Sequence, residues 1–313
     1  MYTIITGGLG HIGSWSAARL MEQGKSVILC DTRSGLPDVL RGYSSQAELE
    51  YCDVRAVDQI TRVLLKYQGE IEGIIHTVGI MGEFVPQAPY QNTMINVNGF
   101  LNVLECARMF GISRIVYVST GAVYGAIDGI AHELKDPPRP ADLYSATKTA
   151  SEMIGLQYGA SFHMDVRVAR VYFVYGPGKL PSEFISLYRN TFGVLEGLDD
   201  LRMEHGFDQK LDFTNVADAA RGIGLIYTPS ALKRNVYNIA TGRALSVGVV
   251  AGMCASLVPD HAPAIIGPGT LMPRCEALSI ELAEKELGYA PQVSLEEGLA
   301  EYLKWIKTRQ APR

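Results

Sequence analysis

From residue 2 to about residue 171, short continuous apolar runs alternate with stretches whose apolar positions recur every three to four residues. The runs at 2–6, 26–31, 49–52, 73–76, 114–119 and 165–171 are predicted strands, and 14–23, 57–67, 93–110 and 143–159 are predicted helices. Runs such as Ile115-Val116-Tyr117-Val118 do not alternate with polar residues, as expected where both faces of a parallel strand are covered. Strand and helix taking turns in this way predicts an α/β fold, a doubly wound parallel sheet with crossover helices. Past Gly176-Pro177-Gly178 the pattern loosens into a helix near 182–195, extended pieces between 201 and 213, a helix at 216–227, a strand at 236–240 and a helical end near 295–307. The expected division is a sheet domain over 1–175 and a smaller, mostly C-terminal cap over 176–313, with segments at about 211–240 returning to the sheet. With no Ser- or Pro-rich linker between them, the two parts are expected to pack tightly.

Composition narrows the chemistry mainly by exclusion. The net charge of −5 and the lack of a Lys/Arg cluster speak against a nucleic-acid partner, and no uncharged apolar run is long enough for a membrane span. Met1 leads straight into the first predicted strand, so a cytoplasmic location without a signal peptide is expected. Cys30, Cys52, Cys106, Cys254 and Cys275 are odd in number and widely spread, which fits buried thiols better than disulfides or a metal site.

The first strand ends in Thr6-Gly7-Gly8-Leu9-Gly10-His11-Ile12-Gly13 and runs into helix-compatible sequence. Spaced glycines let a ligand approach the backbone, and free N–H groups at a helix start attract a pyrophosphate, the Rossmann-type arrangement. Asp31 closes the second strand, where a carboxylate would accept hydrogen bonds from an adenosine ribose. A negative charge there favours NAD over NADP, although Arg33 lies two residues on and a solvated turn before Ser34-Gly35 also suits an aspartate.

Tyr144 and Lys148 are four apart at the start of a predicted helix, hence on one face. Moving a tyrosine pKa from about 10 to neutrality takes about 4 kcal/mol. A cation about 4 Å away at an effective dielectric near 20 supplies about that much. The run Tyr117-Val118-Ser119-Thr120-Gly121 is a strand ending in hydroxyls, and ligands of open parallel sheets sit beyond such ends. A strand-end hydroxyl that only caps the next turn is the alternative.

Together these pieces resemble the extended short-chain dehydrogenase/reductase family, which includes NAD-dependent epimerases and dehydratases. Gly7, Gly10 and Gly13 match its cofactor turn, Asp53-Val54 its adenine contact, and His76-Thr77-Val78-Gly79 the end of its fourth strand. Asn96-Val97-Asn98-Gly99, Ser119-Thr120, Val123-Tyr124-Gly125, Tyr144 with Lys148, and Arg170 through Pro177 follow in the family's order, then Asp212-Phe213 and Leu287-Gly288-Tyr289. The resemblance implies NAD held by Gly7, Gly10, His11, Ile12, Gly13, Asp31, Asp53, Val54, Thr77, Val78, Tyr144 and Lys148. It implies Tyr144 as proton carrier, Thr120 as holder of the substrate oxygen, and Lys148 as the cation that binds the nicotinamide ribose and lowers the tyrosine pKa. Asn96 is structural or a proton relay, no metal is expected, and a homodimer through the helices near 93–110 and 143–159 is the default.

Departures from the family pattern concern the substrate. Phe173 stands where nucleotide-sugar members usually have Asn, and Leu211 where they usually have an Arg that reaches a phosphate. Gly121-Ala122 replaces the Asp-Glu pair of the dehydratases, so elimination is not expected. Met81, Glu83, Phe84, Thr120, Phe173, Leu211 and Arg274 are the candidate substrate contacts, with Lys179 and His205 as further cap candidates. The leading expectation is an NAD-dependent oxidoreductase acting on a secondary alcohol or ketone of a small, non-nucleotide substrate. A sugar or nucleotide-sugar epimerase is the alternative, and a non-catalytic NAD sensor the third reading.

Overall fold

The computed structural model describes residues 1–81 and 84–310. Its main sheet consists of β1 (Tyr2–Thr6), β2 (Ser26–Asp31), β3 (Ala47–Tyr51), β4 (Ile71–His76), β5 (Arg114–Thr120), β6 (Asp165–Val171) and β7 (Val236–Ile239). All neighbours are parallel, in the order β7-β6-β5-β4-β1-β2-β3. The chain lays down β1 to β3 in one direction and then places β4 on the other side of β1. The crevice beyond the carboxyl ends of β1 and β4 is therefore the switch point, where such sheets bind ligands.

The longer helices are α1 (His11–Glu22), α2 (Val57–Lys66), α3 (Gly99–Met109), α4 (Leu143–Phe162), α5 (Ser186–Phe192), α6 (Val216–Tyr227), α7 (Val247–Leu257), α8 (Glu281–Leu287) and α9 (Leu295–Gln310). Successive strand residues point to opposite faces, and this divides the apolar runs between two cores. Ile4, Ile28, Ile74, Ile115 and Tyr117 pack with residues of α2 and α3 on one face. Ile5, Leu29, Ile75, Val116 and Val118 pack with residues of α1 and α6 on the other. That second core continues without a break into Phe184, Leu187, Tyr188, Phe192 and Leu211, so the later chain shares its interior with the sheet.

Two elements differ from the sequence expectation for identifiable reasons. The helix expected over 93–110 begins as a π-helical turn, Met94–Asn98, and becomes α3 only at Gly99. There Asn96 accepts from the Ile80 N–H (2.8 Å) and donates to Ile80 O (3.1 Å) and Thr147 Oγ1 (3.0 Å), which ties the loop after β4 to α4. The helix expected near 182–195 is broken into the turn Pro181–Glu183, α5 and the turn Gly193–Glu196, ending at Gly197 with φ of 78°.

Candidate active site

One cavity of about 1100 Å³ opens over the switch point and runs on beneath the later segments. It is bordered by Gly7, Gly10, His11, Ile12, Gly13, Asp31, Asp53, Val54, Thr77, Val78, Met81, Thr120, Tyr144, Lys148, Phe173, Leu211 and Arg274. Residues expected to meet cofactor or substrate, from nine separate parts of the chain, thus face one space. Glu83 and the side chain of Phe84 lie outside the described residues. Lys179 and His205 border the cavity as well.

At the dinucleotide end, the turn after β1 is shaped by contacts that only glycine permits. A Cβ on Gly13 would lie 2.2 Å from Gly7 O, and one on Gly7 would lie 2.8 Å from Thr77 Oγ1. Thr77 donates to Thr6 O (2.8 Å) and Gly7 O (3.2 Å), which pins the end of β4 under the turn. Asp31 accepts from Leu9 N (3.1 Å) and from Arg33 through N, Nε and Nη2 (3.0, 3.1 and 3.1 Å). Burial opposes its charge, but the Arg33 guanidinium and these N–H groups outweigh it and hold the carboxyl below its usual range. Asp53 is paired in the same way with Arg55, Oδ2 to Nη2 2.6 Å. A cradle without room for Cβ atoms and an ionised carboxylate at the end of β2 fit an adenine dinucleotide.

At the reaction end, Thr120 closes β5 and Tyr144 opens α4, whose start is fixed by a capping box: Asp142 accepts from Ser145 N (2.7 Å) and Ser145 Oγ accepts from Asp142 N (3.1 Å). Asp142 also receives Arg274, which reaches it from the C-terminal part of the chain. Burial pushes Tyr144 up to about 12, against a Thr120 hydrogen bond and the Arg274 charge that pull it down. Lys148 does not exert the expected pull on Tyr144. Its ammonium donates to Val118 O (2.7 Å) above the Tyr117 ring (4.3 Å to the centroid). Burial lowers Lys148 to about 7, opposed by Glu152, whose carboxylate is itself bound by buried Arg170 (2.7 Å).

On the cap side, Phe173 has a left-handed backbone, φ 33°. Asparagine tolerates that conformation better than phenylalanine, which explains the family's usual residue and makes this ring a strained choice. Its ring packs at 5.1 Å from Phe213 and 5.6 Å from Tyr188. Leu211 is 1% exposed, so this wall is carbon where the family usually places polar anchors. A Cβ on Gly121 would lie 2.6 Å from Tyr172 Cδ2, leaving no room for an acid after Thr120. Sequence reading passed over Arg55, Asp142, Phe184 and Tyr188; of these only Asp142 carried a signal, the Asp-x-x-Ser spacing of the capping box.

The switch-point cavity, the glycine turn and the Thr–Tyr–Lys group together define an NAD-dependent enzyme of the extended short-chain dehydrogenase/reductase type. The chain belongs to the NAD dependent epimerase/dehydratase family, whose model matches residues 3–240. It is similar to the UDP-glucuronate 4-epimerase of Thermodesulfobacterium geofontis, 26% identical over 317 residues that cover 98% of this chain and 96% of the relative. It is 28% identical to a dTDP-glucose 4,6-dehydratase of Streptomyces griseus, over 97% of this chain and 93% of the relative. A solved UDP-glucose 4-epimerase of Thermus thermophilus in complex with NAD matches with a TM-score of 0.85 and 26% identity over 100% of both chains. These relatives favour the epimerase reading over the net oxidation of a non-nucleotide molecule that the sequence put first. Among the described residues, no helix is long and apolar enough to cross a membrane, and no group of side chains could hold a metal ion.

Proposed function

We propose that the protein is an NAD-dependent sugar epimerase that oxidises one secondary alcohol of its substrate to a ketone and reduces the same carbon from the other face. The observation that carries this reading is the placement of Thr120, Tyr144 and Lys148 together on the wall of a cavity that extends from the dinucleotide floor to beneath the cap. At about 1100 Å³ it exceeds the ~300–1,000 Å³ of an ordinary single-ligand pocket, leaving room for a substrate beside the cofactor. NAD supplies reversible hydride transfer when bound. In this proposal Thr120 holds the substrate oxygen, and Tyr144 takes the hydroxyl proton and later returns it. Lys148 binds the nicotinamide ribose. Residues 1–175 with the returning segments at about 211–240 form the cofactor floor, and 176–313 mainly cover the substrate.

The nucleotide-sugar relatives support a substrate carried on a nucleoside diphosphate. A second reading, net oxidation of a smaller molecule, is favoured by Phe173 and Leu211, because a polar anchor to phosphate contributes about 1.5–3 kcal/mol and two are replaced by carbon. Incubation with UDP-sugars, free sugars and sugar acids separates the two. An epimeric product without accumulated NADH supports the proposal, and stoichiometric NADH sinks it in favour of the second reading.

A further inference from the structure

The loop after β6, residues 176–179, is gripped at three carbonyls from both ends of the chain. His11 Nε2 donates to Gly176 O (3.1 Å) and Pro177 O (3.2 Å), and Trp15 Nε1 donates to Pro177 O (2.7 Å). Tyr302 of α9 donates its hydroxyl to Lys179 O (2.6 Å). Gly178, at φ 116°, lies so near α1 that a Cβ would be 3.2 Å from His11 Cδ2 and 3.4 Å from Trp15 Nε1. The first turn of α1 follows the glycine turn directly, so this grip holds the loop against the N-terminal turn of α1, where both border the cavity.

Lys179 is the residue the loop delivers there. Its ammonium sits 4.0 Å over the Phe184 ring, and Phe184 in turn packs against His11 at 5.6 Å. Among the described residues no carboxylate forms an ion pair with this lysine. Burial holds its pKa below the ordinary lysine value; the nearby Glu183 carboxylate opposes this, and Arg33, the smaller of the two charge effects, adds to it. The first turn of α1 has no acidic residue and its N-cap, Gly10, makes no side-chain cap. Lys179, Arg33 and the positive end of a helix thus lie near one another, with Arg33 paired to Asp31 and the Glu183 carboxylate near Lys179 engaged by Leu180 N, an arrangement that a further anion would relieve.

We propose that Lys179 is a cofactor residue: it covers the NAD pyrophosphate from the side opposite the glycine turn, held in place by a loop that α1 itself grips. This assigns to the cofactor a residue that its position in the chain places with the substrate cap. It rests on NAD being the cofactor, which wild-type binding tests separately.

The test is calorimetric titration of the full chain with NAD, ADP-ribose and adenosine, for the wild type and for Lys179→Met, Lys179→Arg and Trp15→Phe, with thermal unfolding of each as the control. Lys179→Met keeps the stem over Phe184 and removes the charge. It is expected to weaken NAD and ADP-ribose about tenfold, leave adenosine unchanged and flatten the salt dependence of binding. Lys179→Arg is expected to restore most of the affinity, and Trp15→Phe, which removes one of the four hydrogen bonds that hold the loop and spares the charge, to lose about threefold. The proposal is overturned if Lys179→Met binds NAD as tightly as wild type, if adenosine weakens as much as NAD, or if only the substrate KM rises.

Discussion

The two ends of the cavity are built on different principles. The dinucleotide end is built on main chain, a turn with no room for Cβ atoms and strand ends held in register by the parallel sheet, to which a few side chains such as Asp31 and Thr77 are added. The cap-side wall is made of side chains, the rings of Phe173, Tyr188 and Phe213 beside Leu211, carried by short segments. A main-chain site tolerates almost no substitution and accepts one class of ligand. A side-chain wall can be rebuilt residue by residue, so the same floor can serve many substrates.

This contrast can be broken most severely at the floor. Gly13→Val should lower NAD affinity about 100-fold or more, since its Cβ would overlap Gly7 O, and titration calorimetry with a folded-state check by circular dichroism measures it. Next in size, Tyr144→Phe should cut turnover by about 10²–10⁴ with NAD binding unchanged; normal turnover would remove the tyrosine from the chemistry. On the cap side, Phe173→Asn suits the left-handed backbone but leaves the space beside Tyr188 and Phe213 unfilled. It should lower the thermal midpoint by several degrees and raise UDP affinity about tenfold, and unchanged UDP binding would show that this wall does not govern the diphosphate.

The last prediction concerns stability and pH. Lys148 has a folded pKa of about 7, below its unfolded value, so between about pH 7 and 10.4 the unfolded chain binds more protons and stability rises with pH. Below pH 7 the full cost of the buried ammonium remains. Lys148→Met should therefore unfold at a higher temperature than wild type at pH 6, with the difference narrowing as pH approaches 10. A difference that is independent of pH would show that the lysine is not paying a charge penalty in the fold.

The same contrast decides what could be read from the sequence. β1, β2, β6 and α6 have the bounds that their apolar runs predict, because a strand covered on both faces, or a helix with a clear apolar stripe, writes its length into composition. The glycine turn was legible because the spacing of its glycines is local, although Thr77, which crowds Gly7, comes from 70 residues further on. α7 was not, since Val247-Gly248-Val249-Val250-Ala251-Gly252 is apolar without a helical period, and neither was α8, whose seven residues carry too few turns for a pattern. The charge state of the site also escaped. The spacing of Tyr144 and Lys148 holds, yet Val118 O and burial set the lysine's direction and pKa, and both depend on packing that residue spacing does not encode.

The position of β7 at the edge of the sheet bears on how the chain is made. It pairs with β6 through Val236↔Val168 to Ile239↔Val171, across a stretch that includes α5 and α6. A ribosome releases β6 long before β7, so during synthesis the outer edge of β6 waits unpaired while the intervening segments emerge. An open strand edge is a template for pairing with another chain. Nascent molecules of this protein are therefore most exposed to misassembly in that interval, and a chain truncated before residue 236 should be markedly more prone to aggregate than one that ends after residue 240.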